Sequence, residues 1–140
     1  MDDILKLANE IAEKAHAGQY DKAGKPYIEH PRFVANCVIG NKEKVLALLH
    51  DVIEDSEVTL VDLKNIGIPE EIVNAVDVLT RKSGEEYKHY IVRIKDNELA
   101  KTVKLADLRH NSDISRISNP TKEDKERVDK YNLAIEFLER

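Results

Sequence analysis

Three places in this chain gather residues that could do chemistry. The first is His50-Asp51, followed at once by Val52, Ile53, Glu54 and Asp55. These titratable groups interrupt the apolar runs VLALL and VI, and burying them without partners would be costly. His50 and Glu54 lie four residues apart, as do Asp51 and Asp55, so each pair shares one face of a helix. His50 and Asp51 diverge by roughly 100° around a helix axis, yet both can reach one ion near the same turn. Alone, the dipeptide also reads as a hydrogen-bonded core histidine beside an edge carboxylate.

The second place is KLADLRHN, residues 104–111. Leu99, Val103 and Asp107 recur every four residues, and Ala106 and His110 join that side. Asp107 thus falls on an apolar stripe, where a capping role or a buried ion pair with Lys104 or Arg109 would also explain it. The third is His30, which ends a loop pinned by Pro26 and Pro31 and carrying Lys22, Gly24 and Lys25, and alone reads as a surface histidine. Together, two imidazoles and two carboxylates form a borderline donor set suited to Mn²⁺, Fe²⁺, Co²⁺ or Zn²⁺. Four protein donors on an octahedral ion leave positions for water and substrate.

Helical periodicity dominates the elements that must carry these residues, and no period-two alternation is evident. A first helix over 3–17 places Ile4, Leu7, Ala8, Ile11, Ala12 and Ala15 on one face, with Asp2 or Asp3 as cap and Gly18 as stop. Residues 19–29 read as a loop. Pro31 biases His30 away from the α region and puts it at the entrance of a helix over 31–39. The next helix, 42–54, is apolar nearly all round and so central to the core. Further helices are expected over 60–65 (capped by Thr59), 70–81, 84–95, 97–115 and 122–139, the last opened by Thr121 and Asp124 as a capping box. The sum is an all-α bundle of seven to eight helices in a single domain, 1–140.

Composition sets the outer bounds. The 140 residues carry 41% hydrophobic and 35% charged side chains, as expected of one helical globular domain. The formal net charge of −5 argues against binding a nucleic-acid polymer, while leaving room for a local cationic pocket. No run approaches a membrane span and no secretory signal opens the chain, so a cytoplasmic protein is expected. Cys37, the single cysteine, excludes an internal disulfide and reads as a small buried hydrophobe among Phe33, Val34 and Val38.

The order His, His-Asp, distant Asp resembles that of the HD-domain superfamily. More narrowly, AHAGQYDKAGKPYIEHP (15–31), LLHDVIED (48–55) and VKLADLRHN (103–111) are similar to the hydrolase domain of RelA/SpoT alarmone enzymes and their single-domain relatives. The resemblance implies a compact HD-domain bundle and Mn²⁺, or another divalent transition metal, held by His30, His50, Asp51 and Asp107. It also implies that Glu54 and Asp55 act at the reacting phosphate, positioning or deprotonating the attacking water, a role their place beside the metal pair supports. It assigns substrate contacts to Lys22 and Asn111, and to Arg127 and Tyr131 on the last helix. Cations complement phosphates, Tyr can stack, and Asn can read a sugar or base edge. His16 is expected to pack or hydrogen-bond beneath the site, His89 to be exposed, and His110 to support Asp107 from behind.

Two positions depart from the family pattern. Asp21-Lys22 stands where Arg-Lys is usual, and Ser112-Asp113 where an apolar residue and Arg usually follow the HN pair. Both changes reduce attraction for a heavily charged nucleotide. The expected activity is a metal-dependent 3′-pyrophosphohydrolysis of (p)ppGpp, of the kind used in the stringent response. The alternatives are an HD phosphohydrolase acting on another nucleotide or phosphorylated metabolite, such as NADPH at its 2′-phosphate, or a non-catalytic nucleotide-binding module. The expected partner is a small phosphorylated nucleotide, with neither nucleic-acid polymer nor membrane, and an oligomer is compatible with either reading.

Overall fold

Five consecutive buried residues, Val45 to Leu49, mark the centre of the molecule. A helix buried all round must be surrounded by others, and each Val or Leu side chain in it contributes roughly 1.5–3 kcal/mol of burial. In a computed structural model that describes residues 2–140, with side chains from Asp3 onward, this segment is α3 (Asn41–Leu49). It packs on α1 (Asp2–Ala15), α2 (Glu29–Asn36), α6 (Glu70–Leu79) and α8 (Glu98–Asn111). The short α4 (Val52–Asp55) and α5 (Leu60–Ile66) follow α3 in the chain; α7 (Tyr87–Lys95) and α9 (Lys122–Glu139) close the bundle against α8. No strand occurs among the described residues, apart from an isolated bridge between Tyr20 and Pro26.

Caps fix several boundaries. Thr59–Asp62 and Thr121–Asp124 both form reciprocal capping boxes, and the Asn97 side chain accepts from the Ala100 N–H. Gly67 ends α5 at φ +114°, a conformation that strains any side chain. The cap expected of Asp2 lies outside the described side chains, and Asp3 is within α1.

Four expectations need correction. The helix over 42–54 is broken: His50 and Asp51 leave the helix between α3 and α4. Asp51 has φ −107° and ψ 0°, and the His50 side chain engages the Ala47 carbonyl, competing with the regular ladder. His30 is helical after all. Ile28 caps α2, so Pro31 falls in the first turn, where its missing N–H leaves no bond unmade. The helix over 97–115 stops at Asn111, and a 3-10 turn, Ile114–Arg116, follows with Asp113 as its cap. Cys37 is exposed, because it follows the last residue of α2 while Val34, Ala35 and Val38 take the core positions. Among the described residues, no helix is long and apolar enough to cross a membrane.

Candidate metal centre and adjoining cavity

His30 from α2, His50 and Asp51 from the break after α3, and Asp107 from α8 converge: each offers a donor atom within 4.8 Å of the others. His30 Nε2 lies 2.7 Å from Asp107 Oδ1. His50 and Asp107 are buried, and Asp51 is partly so. The break in the helix turns adjacent His50 and Asp51 toward a common point.

Whether a cation suits these residues is decided at His50. A carbonyl oxygen only accepts, so the contact from Nδ1 to the Ala47 carbonyl puts a proton on Nδ1. In the neutral ring Nε2 is then bare. It is buried, approaches Asp51 Oδ2 to 3.0 Å and Asp107 Oδ1 to 3.5 Å, and is aligned for a hydrogen bond with neither. A lone pair aimed among two carboxylates is the arrangement a divalent cation satisfies. In the absence of a cation, burial opposes protonation of His50, but the Asp51 charge and Asp107 raise its pKa well above the ordinary value. Burial would also raise Asp51, yet the facing His50 charge holds it at about 2. Asp107 is held well below the usual carboxylate range against burial, chiefly by Lys104, whose Nζ is 3.0 Å from Oδ2.

Several further groups surround the cluster, of which Tyr27 had no role assigned from the sequence. The Tyr27 hydroxyl donates to Asp51 Oδ2, and burial followed by the Asp51 charge pushes its pKa far up. Its signal was the YIEHP run, three residues before His30. Lys104 is the buried counter-ion of Asp107, a pairing already open from the three-residue spacing. His110 bonds His30 rather than Asp107: the two Nδ1 atoms are 2.7 Å apart, and the Phe33 ring stacks on His110. Burial, then the His30 and Arg116 charges, lower the His110 pKa to about 4. His16 is buried; its Nδ1 donates to Gln19 Oε1, and Gln19 Nε2 reaches the Asp55 carbonyl. His89 is exposed, as expected.

Glu54 and Asp55 lie at the exposed rim of the cluster. Burial raises both pKa values; a hydrogen bond from the Arg81 backbone N–H opposes this at Glu54, whereas the Asp51 charge adds to it at Asp55. Glu54 Oε1 accepts that N–H at 2.6 Å.

Beside the cluster is a cavity of about 300 Å³ lined by Lys22, Tyr27, Asn111, Arg116, Arg127 and Tyr131, among others. All four expected substrate contacts line it. Tyr27 and Asn111 are walls common to cavity and cluster, since Asn111 Nδ2 donates to Asp107 Oδ1 at 3.0 Å. Arg116 is the cation the sequence did not single out. Its Nη2 sits 2.9 Å from Asp21 Oδ2, while Asp21 Oδ1 accepts the Ala23 and Lys25 N–H groups. Asp21 therefore shapes the loop and is neutralised by Arg116. Asp113 caps the 3-10 turn through Ser115 and does not line the cavity.

No protein-family model matches the chain. Curated relatives do. It is 34% identical over 139 residues to a Haemophilus influenzae guanosine-3′,5′-bis(diphosphate) 3′-pyrophosphohydrolase, covering 89% of this chain and 20% of that protein. It is 32% identical over 133 residues to a probable GTP pyrophosphokinase of Mycobacterium leprae, covering 86% and 17%. It is 33% identical over 122 residues to the bifunctional (p)ppGpp synthase/hydrolase SpoT of Escherichia coli, covering 76% and 17%. The chain thus spans about one fifth of the length of the curated relatives it matches. Among solved structures, a metazoan ortholog of SpoT described as hydrolysing ppGpp superposes with a TM-score of 0.78 at 24% identity, covering 96% of this chain and 83% of that one.

An all-helical bundle that brings a histidine, a His-Asp pair and a distant aspartate to one point is an HD-type domain. Within that class the sequence relatives are specific: the chain is an HD domain of the RelA/SpoT type.

Proposed function

We propose that the chain is a metal-dependent phosphohydrolase that removes the 3′-pyrophosphate from (p)ppGpp, giving GDP or GTP and pyrophosphate. The observation that carries the reading is the shared wall: Tyr27 and Asn111 belong at once to a His/Asp cluster able to bind a metal and to a cavity lined by three cations, Lys22, Arg116 and Arg127. The relatives bearing 3′-pyrophosphohydrolase names support the same substrate class.

His30, His50, Asp51 and Asp107 would hold the ion, for which we propose Mn²⁺. A bound dication supplies Lewis acidity toward phosphoryl oxygens. Asp55, raised by burial and by the Asp51 charge, accepts the proton of the attacking water. Glu54, anchored on the Arg81 N–H, orients that water. Lys22, Arg116 and Arg127 bind the phosphates as charge-assisted donors, and Tyr131 stacks on the base. The acidic departure at Asp21 does not oppose the substrate, because Arg116 compensates it. A small phosphorylated nucleotide in the cytoplasm is the partner this chemistry implies.

The test is pyrophosphate release from ppGpp with Mn²⁺, run beside a panel that includes GDP, GTP and NADPH. Turnover of ppGpp abolished by Asp51→Asn is the expected result. Turnover confined to NADPH, with inorganic phosphate as product, overturns the substrate. Nucleotide binding without turnover under Mn²⁺, Fe²⁺, Co²⁺ and Zn²⁺ overturns the enzyme.

A further inference from the structure

The cavity beside the cluster, about 300 Å³, is at the small end of ligand pockets. A nucleotide carrying a diphosphate at each of two positions extends past it. The reacting phosphate belongs at the cluster, so the phosphate attached beyond it must meet the protein elsewhere. Three of the surrounding cations already face an aspartate: Lys104 faces Asp107, Arg116 faces Asp21 and Arg127 faces Asp124. Arg81 and Lys130 do not.

Arg81 lies just after α6 and Lys130 sits on α9, yet both approach the ring of Tyr87, the first residue of α7. The Lys130 ammonium is 4.0 Å from the ring centroid, and the Arg81 guanidinium carbon 5.5 Å. An aromatic face attracts a cation, but two cations gathered on one ring repel each other. Among the described residues neither has a carboxylate within ion-pair distance: Arg81 Nε donates to the Glu85 carbonyl oxygen at 3.0 Å, and Lys130 meets other cations. Burial, then the charges of Arg81, Lys104 and Arg127, lower the Lys130 pKa. Both residues are exposed, so an anion from solvent can reach them. A phosphate would relieve the repulsion and accept charge-assisted hydrogen bonds from both.

The backbone says which phosphate. The Arg81 N–H donates to Glu54 Oε1 at 2.6 Å, which puts Arg81 at the rim of the cluster, whereas neither Arg81 nor Lys130 lines the cavity. Lys130 is tied to the cavity only through its neighbour Tyr131 and through Arg127, one turn earlier on α9. Resting on the substrate proposed above, we infer that Arg81 and Lys130 hold the distal phosphate of the 3′-pyrophosphate, so that the chain selects a pyrophosphoryl over a monophosphoryl ester at that position. The nucleoside and its 5′ phosphates then take the cavity with Lys22 and Arg116.

The experiment is calorimetric binding in chelator, which stops turnover, of ppGpp and of guanosine 5′-diphosphate 3′-monophosphate. The wild type is expected to bind ppGpp about 10–100-fold more tightly, the gain from charged hydrogen bonds. Lys130→Gln and Arg81→Gln should each lose most of that preference and leave the affinity for the 3′-monophosphate unchanged. Both replace exposed side chains, and the Arg81 backbone N–H that Glu54 uses is retained. Lys125→Gln removes the same charge from an exposed position of α9 and should keep the preference. Equal wild-type affinity for the two nucleotides, or a preference that survives in Lys130→Gln, overturns the inference. So does an equal loss in Lys125→Gln, which would make the effect one of overall charge. A wild type that binds neither nucleotide, with or without Mn²⁺, overturns the substrate reading itself, a failure distinct from binding both alike.

Discussion

Lys104 gives the sharpest test of the electrostatics. Its side chain is 13% exposed and that of Asp107 6%, with Nζ 3.0 Å from Oδ2. Removing one partner of a buried pair leaves the other charge uncompensated and costs about 3–5 kcal/mol. Lys104→Met keeps most of the side-chain volume while removing the ammonium, including its placement 5.1 Å over the Tyr90 ring, so a loss of about 3 kcal/mol is expected in chelator. For a domain of this length that is roughly a 10 °C fall in Tm. With metal the outcome differs. A dication supplies the positive charge Asp107 has lost, and no longer meets repulsion from Lys104. If the deficit shrinks to about 1 kcal/mol, linkage requires the ion to bind about 30-fold more tightly to the folded variant. The assay is thermal unfolding with EDTA and with a metal series, joined to a competition measurement of affinity. A drop below about 1 kcal/mol in chelator, or an affinity that falls along with stability, would refute the charge argument. The double variant Lys104→Met/Asp107→Asn checks it independently, since the two losses should be strongly non-additive.

Chelation of wild-type protein should lower Tm. An ion at one hundred times its Kd contributes about 2.7 kcal/mol, close to 10 °C here, and a scan insensitive to EDTA would contradict a site in the folded state. In chelator, the depressed Asp51 contributes stability that is complete above the ordinary carboxylate pKa and is lost as pH falls through about 2. Denaturant midpoints should decline over that window, and Asp51→Asn should flatten the decline. Tyr27 works with the opposite sign. Its raised pKa keeps it protonated in the native state while the unfolded chain ionises near about pH 10, so stability is full below that value and falls above it. Tyr27→Phe should soften the alkaline fall, read from the same midpoints. Arg116→Ala removes a charged donor from the cavity and is expected to raise KM about 10- to 100-fold with a smaller change in kcat; an unchanged KM would exclude Arg116 from phosphate binding.

How much of this was visible in the sequence depended on the kind of signal. Helices came from periodicity and caps: the face of α1 and both capping boxes are local facts, and local rules found them. The four clustered donors came from residue type together with the order of three motifs that resembles the HD superfamily, since each residue alone also had another explanation. What stayed hidden depended on contacts far apart in the chain. Arg116 is 95 residues from Asp21, and nothing local predicts that a 3-10 turn after α8 brings its cation back to the first loop. The His30–His110 bond spans 80 residues, so His110 was assigned to the nearer Asp107 on its own helix. The break at His50-Asp51 was missed for the opposite reason: apolar patterning runs straight through it, while side-chain bonding overrides the ladder.

That break links fold to chemistry. In an unbroken helix, neighbouring side chains point about 100° apart. Releasing His50 and Asp51 from the ladder lets both face Asp107, but it packs two carboxylates into a space beside the part-buried cation Lys104. Without metal, the cluster stays near neutrality by protonating His50, the group whose bare Nε2 a dication needs. Proton and metal therefore compete for one nitrogen. The competition is biased by Tyr27, which donates to Asp51, and by Asn111, which donates to Asp107. Both of these also line the cavity, so a ligand that draws either hydrogen bond away makes its carboxylate a stronger donor to the ion. On the proposed reading, occupancy of the cavity and affinity of the cluster would be coupled through these two shared walls, and any such coupling is reciprocal.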